Sequence, residues 1–131
     1  MSRVVLGSLK QVLLHLSRGG EERVLFLVGR GEEVLYAYWA QNVRSSPFEF
    51  EAEGWHVVQA HISAERHGME VIALAHTHPS CPAVPSPADL RGMKAWPIVW
   101  VISCQSEVRG WALEGGRVKE VEIAEGQTSN I

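Results

Sequence analysis

The chain has 131 residues, 46% of them hydrophobic and 21% charged, with a formal net charge of −3. That is enough chain for one domain with a real core, and the composition is that of an ordinary globular protein. The twelve basic residues are scattered and leave no electrostatic footprint for nucleic acid, and no apolar stretch approaches the length that spans a bilayer.

The amino terminus has no signal-peptide pattern, because Ser8, Lys10 and Gln11 interrupt its apolar residues; a cytoplasmic location is expected. Val4-Val5-Leu6 is a candidate short strand. Leu9, Val12, Leu13 and Leu16 then recur at i, i+3, i+4 and i+7, which predicts a helix with Ser8 as its candidate cap and Gly19-Gly20 beyond its end. Residues 23–29 and 33–40 predict a hairpin turning near Arg30-Gly31-Glu32. Residues 44–53 make a polar connection that contains aromatics. Trp55, Val58 and Ile62 line one side of a predicted helix that ends near Gly68.

Val71-Ile72-Ala73-Leu74-Ala75 is an apolar run between Glu70 and His76 and reads as a buried strand. Four of the six prolines (Pro79, Pro82, Pro85 and Pro87) follow it, so the next loop should be stiff. A helix is expected from about 87 to 95, bounded by Pro97. Ile98 to Ser103 reads as another strand, and 107–113 with 117–123 as a last hairpin around Glu114-Gly115-Gly116. The tail from about 124 is expected to be loose, within a single domain spanning 1–131. The five tryptophans (Trp39, Trp55, Trp96, Trp100 and Trp111) read as packing residues, with room for one in a substrate groove. Strands alternating with helices imply an α/β fold, a mixed sheet with helices packed on it.

The chemistry concentrates in His76-Thr77-His78-Pro79 and Ser86-Pro87-Ala88-Asp89. Side chains at i and i+2 of a strand point the same way, so His76 and His78 can face one metal. Two imidazoles suit zinc, and Asp89 is the candidate third ligand, leaving a fourth position open for water. Each half also has an ordinary explanation. Ser86, Pro87 and Asp89 form a helix start, with an N-cap, a proline at the first turn and an acid at N3. The two roles are compatible, because Asp89 can sit in a first turn and still reach a metal. His15, His56, His61 and His67 stand at non-ligand spacings and read as surface or structural histidines.

The same residues resemble the JAMM (MPN-plus) metalloprotease family. That pattern is an upstream Glu, then His-Ser/Thr-His-Pro, then Ser and Asp at the spacing found here; His76, Thr77, His78, Pro79, Ser86 and Asp89 match it without a gap. The family's glutamate stands seven residues before a glycine at the head of an apolar strand. Glu22, seven before Gly29, fits that offset, and Glu21 is one off. Asn42-Val43, Phe48 and Phe50 also look like the family's layout. The resemblance implies a mixed curved sheet flanked by helices (cytidine-deaminase-like), one zinc per chain held by His76, His78 and Asp89, Glu22 as the base for water, and Ser86 as a partner of the oxyanion. It implies an isopeptidase acting at the carboxyl end of ubiquitin-like proteins. The short region after the metal helix suits a compact prokaryotic-type enzyme with looser selectivity.

Some relatives carry a cysteine pair placed like Cys81 and Cys104. A disulfide pinning the metal loop to the sheet and two free thiols are both open. Arg91 and Lys94 read as a solvated helix face that an acidic partner could meet. Three other functions are open, the first with the same chemistry. One is a peptidase that trims sulfur-carrier proteins in cysteine or cofactor synthesis. A second is a RadC-like DNA-associated protein, which usually carries an upstream helix-hairpin-helix region. The third is a non-catalytic MPN scaffold, which would have lost ligands that this chain keeps.

Overall fold

The computed structural model describes residues 3–20, 22–39 and 54–126. The expectations placed on Glu21, Asn42-Val43, the 44–53 connection with Phe48 and Phe50, and residues 127–131 lie outside them. So do the side chains of Trp39, Trp55, His56 and Val58. Among the described residues the order is β1 (Arg3–Val5), α1 (Leu9–Arg18), β2 (Val24–Arg30), β3 (Glu33–Trp39), α2 (Gly54–Arg66), β4 (Glu70–Thr77), α3 (Pro87–Ala95), β5 (Val99–Ser103), β6 (Val108–Glu114) and β7 (Arg117–Ala124).

The strands form one mixed sheet in the order β1-β3-β2-β4-β5-β6-β7, which closes because β1 also pairs with β7. The β1–β3, β1–β7 and β4–β5 pairs are parallel, and the others are antiparallel. The central strands β2, β4 and β5 are buried over nearly their whole length and mostly apolar, because both of their faces are covered. Val24, Phe26 and Val28 of β2 pack with Leu74, Trp100 and Ile102 against Ala60 and Ala64 of α2 and Met93 of α3. Leu25 and Leu27 pack with Ala73, Ala75, Val99 and Val101 against Leu13 and Leu14 of α1. At the carboxyl end, Val5 pairs with Ala124, Leu6 N donates to Ala124 O, and Lys10 bonds Glu125 at 3.1 Å.

Two predicted stripes each depart at one described position, while Leu9, Leu13 and Leu16 of α1 do pack on the core. On α1 the buried positions are Leu13, Leu14 and Ser17, whereas Val12 is 45% exposed. Ser17 can occupy the core because its hydroxyl donates to Leu13 O at 3.0 Å and lies 2.8 Å from Ser103 Oγ. On α2, Ala60 and Ala64 face the sheet and Ile62 is 46% exposed. Small side chains bring that helix close, a preference that a search for large apolar residues overlooks. Ser8 stands at the N-cap position of α1 but makes no side-chain cap bond. Its φ and ψ (−68° and −14°) are already helical, and backbone carbonyls of Leu6 and Gly7 take the amides of Leu9 and Lys10.

Gly29 has a clear steric reason. The β2–β3 register shifts between Val28 and Gly29, and a Cβ there would stand 1.9 Å from Glu33 O. Only glycine lets the hairpin close this tightly. Its closure sets the run of β2 that leads back to Glu22.

Candidate metal centre

The register of β2 against β4 assembles the site. Val24 pairs with His76 and Leu25 with Ala75. Continuing that antiparallel count sets Glu22 opposite His78, on the sheet face shared by His76, because faces alternate with period two. A slip of one residue would turn Glu22 away. Beyond the last regular pair, Thr77 N donates to Arg23 O at 3.0 Å and Arg23 N donates to Thr77 Oγ1 at 2.7 Å. From the parallel neighbour, His78 N donates to Ser103 O at 2.6 Å. The backbone on both sides of His78 is thereby held.

Asp89 enters from the first turn of α3 and is fully buried. Ser86 is the N-cap: Asp89 N donates to Ser86 Oγ at 3.0 Å, and Ser86 N donates to Asp89 Oδ2 at 2.9 Å. The capping box therefore aims the carboxylate. Asp89 Oδ1 lies 2.8 Å from His76 Nδ1, and Oδ2 lies 2.8 Å from His78 Nε2. The two rings stand edge to face, 4.9 Å apart at 84°. Glu22 Oε1 reaches 3.1 Å from His76 Nε2. The structure thus brings together all five residues singled out in the sequence. Asp89 bonds both His76 and His78, Glu22 reaches His76, and Ser86 is joined to Asp89.

Burial alone pushes the Asp89 carboxyl up. The hydrogen bonds from His76 and His78, the attraction of His76 and the Ser86 N–H outweigh it and hold the group well below the usual carboxylate range. Asp89 is thus an anionic oxygen donor beside two imidazole nitrogens. One ligand atom from each of His76, His78 and Asp89 lies within 4.8 Å of the others. That donor set fits zinc: three protein ligands, nitrogen and oxygen, with one position left over. The protons now shared among the three side chains are those a cation would displace. Ser86 is only partly buried, and its hydroxyl still has a proton to give after accepting the Asp89 amide.

The loop from Pro79 to Ser86 is strapped by the cysteine pair and by Ala83, Gln105 and Glu107, which sequence patterns did not single out. Ala83, fully buried, donates its N–H to Glu107 Oε2 at 2.8 Å and accepts from Trp111 Nε1 at 3.0 Å. Gln105 Nε2 donates to Pro79 O. Cys81 and Cys104 form a disulfide with Cα atoms 5.2 Å apart, which settles the open cysteine question. Trp111 was visible only as one of five tryptophans. A half-buried indole needs an acceptor, but nothing local says that the acceptor is 28 residues upstream. Trp111→Phe keeps a ring and removes the donor. Urea unfolding of the metal-free protein should show a loss of about 1–2 kcal/mol from the orphaned Ala83 carbonyl. An unchanged midpoint would remove Trp111 from the strap. Among the described side chains the other histidines take no part: His15, His61 and His67 are exposed.

The mixed sheet with helices packed on it agrees with the fold of known proteins. A family profile described as prokaryotic homologs of the JAB domain matches residues 9–114. The chain belongs to that family. It is 35% identical over 117 residues to a desampylase of Pyrococcus furiosus, covering 88% of this chain and 84% of that one. It is 30% identical over 112 residues to a probable TtuB-protein conjugate cleaving protease of Thermus thermophilus, covering 85% and 75%. A JAB1/MPN domain protein from Archaeoglobus fulgidus shares the fold, with a TM-score of 0.61 at 18% identity over 95% of this chain and 98% of that one. Among the described residues no helix is long and apolar enough to cross a membrane.

Proposed function

We propose that the chain is a zinc-dependent isopeptidase that hydrolyses the amide bond at the carboxyl end of a ubiquitin-like protein. The observation that carries this is the convergence of His76, His78 and Asp89 with Glu22 at one strand end. The names of the two sequence relatives, a desampylase and a conjugate cleaving protease, support it.

His76, His78 and Asp89 would hold the zinc. When bound, the metal supplies a Lewis acid that polarises the amide carbonyl and lets water attack near neutral pH. Glu22 takes the proton of the attacking water at its carboxylate and later returns it to the departing amine. Ser86 donates its hydroxyl proton as a hydrogen bond to the carbonyl oxygen while charge builds there. The capping box keeps Asp89 aimed throughout, and the strapped loop keeps Ser86 over the cluster. Neither cysteine is needed as a nucleophile.

The test is cleavage of a ubiquitin-like isopeptide conjugate by protein loaded with zinc. Cleavage should stop after chelation and return when zinc, but not magnesium, is restored. Cleavage that survives thorough chelation would exclude this chemistry.

A further inference from the structure

We infer that Thr77 is a positioning residue that sets Glu22 through the backbone of Arg23. Thr77 sits between the two histidines, so its side chain points to the opposite face of the sheet, away from the cluster. It is fully buried. A regular antiparallel pair would exchange two amide-to-carbonyl bonds. Here Thr77 N gives one to Arg23 O, and the return bond from Arg23 N goes to the Thr77 hydroxyl at 2.7 Å. A side chain has taken over a rung of the ladder, one residue from Glu22. The segment before β2 is thus held by an oxygen that depends on the identity of residue 77, and Glu22 branches from it.

The backbone around Thr77 is anchored from the neighbouring strand as well. Thr77 pairs in register with Ser103 of β5, whose carbonyl accepts His78 N at 2.6 Å and whose hydroxyl lies 2.8 Å from Ser17. One backbone position thus fixes His78 through Ser103 and Glu22 through Arg23. Metal binding does not pass through the Thr77 hydroxyl, because His76 and His78 branch from the opposite face of the sheet and Asp89 meets them there. Placement of Glu22 does.

The catalytic arm of this inference rests on the proposed hydrolysis; the structural arm does not. Thr77→Val keeps the shape and strand preference and removes the acceptor. Thr77→Ser keeps the acceptor. In Thr77→Val, hydrogen exchange at the Arg23 amide should speed up at least about tenfold. Zinc stoichiometry and KM should hold, and kcat should fall about tenfold to a hundredfold, the scale of a misplaced reacting group. Thr77→Ser should restore both the slow exchange and the turnover. Wild-type kcat in Thr77→Val, or equal loss in Thr77→Ser, would overturn the inference. If the wild type cleaves no conjugate, the functional proposal falls alone, and Arg23 exchange still decides whether the tether exists.

Discussion

Asp89→Asn should leave the fold nearly intact and strip the protein of tight zinc. Asp89 has two tasks that the variant separates. As the N3 residue of α3 it accepts the Ser86 amide, and as an anion it joins the two imidazoles. An asparagine oxygen can still accept from Ser86, so the capping box survives; loss of the cap altogether would cost about 0.5–2 kcal/mol. The neutral amide cannot replace an ionised ligand. Zinc affinity should fall by more than about 100-fold, since even outer partners of a zinc ligand are worth 10–100-fold. Hydrolysis should fall with it. Asp89→Ala removes the cap as well and leaves the ring nitrogens of His76 and His78 without their carboxylate. It should therefore unfold earlier than Asp89→Asn, by about 1–3 kcal/mol. Elemental analysis after competition with a chromophoric chelator reads the first effect, and thermal unfolding of the metal-free proteins reads the second. Wild-type zinc affinity in Asp89→Asn would mean that the cluster is a capping motif with histidines beside it.

What made this centre legible from the chain is that its geometry is mostly local. His76 and His78 share a face because a strand alternates, and Asp89 follows from a helix start written in Ser86 and Pro87. Glu22 lies far off in sequence and could be placed only by resemblance. The structure supplies the physical cause in the β2–β4 register, which no single strand encodes. The same division runs through the fold. Helices and hairpins fell where periodicity and glycines put them, within a residue or two. Faces were harder. Val12 and Ile62 look like core residues by spacing and are exposed, whereas Ser17 is fully buried. The deciding terms were a hydroxyl with two partners on α1 and two alanines on α2, and both depend on what lies across the interface. Closure of β1 onto β7 and the strap on Ala83 join residues distant in sequence, through bonds that leave no periodic trace.

Glu22→Gln should keep the zinc and lose the reaction. Glu22 lies outside the three-donor set, so its charge is not needed to hold the ion. Its side chain is 39% exposed, open enough to meet water and substrate, and its oxygen is 3.1 Å from His76 Nε2. Glutamine has the same shape and can keep that hydrogen bond, but it cannot accept the proton of an attacking water. Turnover should fall about 10²–10⁴-fold, the usual contribution of a general base, with KM little changed because binding does not use the proton. Glu22→Asp retains the charge but draws it back by one methylene. It should fall in between, since displacement of about 1 Å costs up to 100-fold. The order wild type, Asp, Gln in kcat, with equal zinc content in all three, distinguishes a base from a ligand. If glutamine turned over like the wild type, the proton would have to leave by another group. If glutamine lost the metal, Glu22 would belong to the ligand set, and water activation would have to be assigned anew.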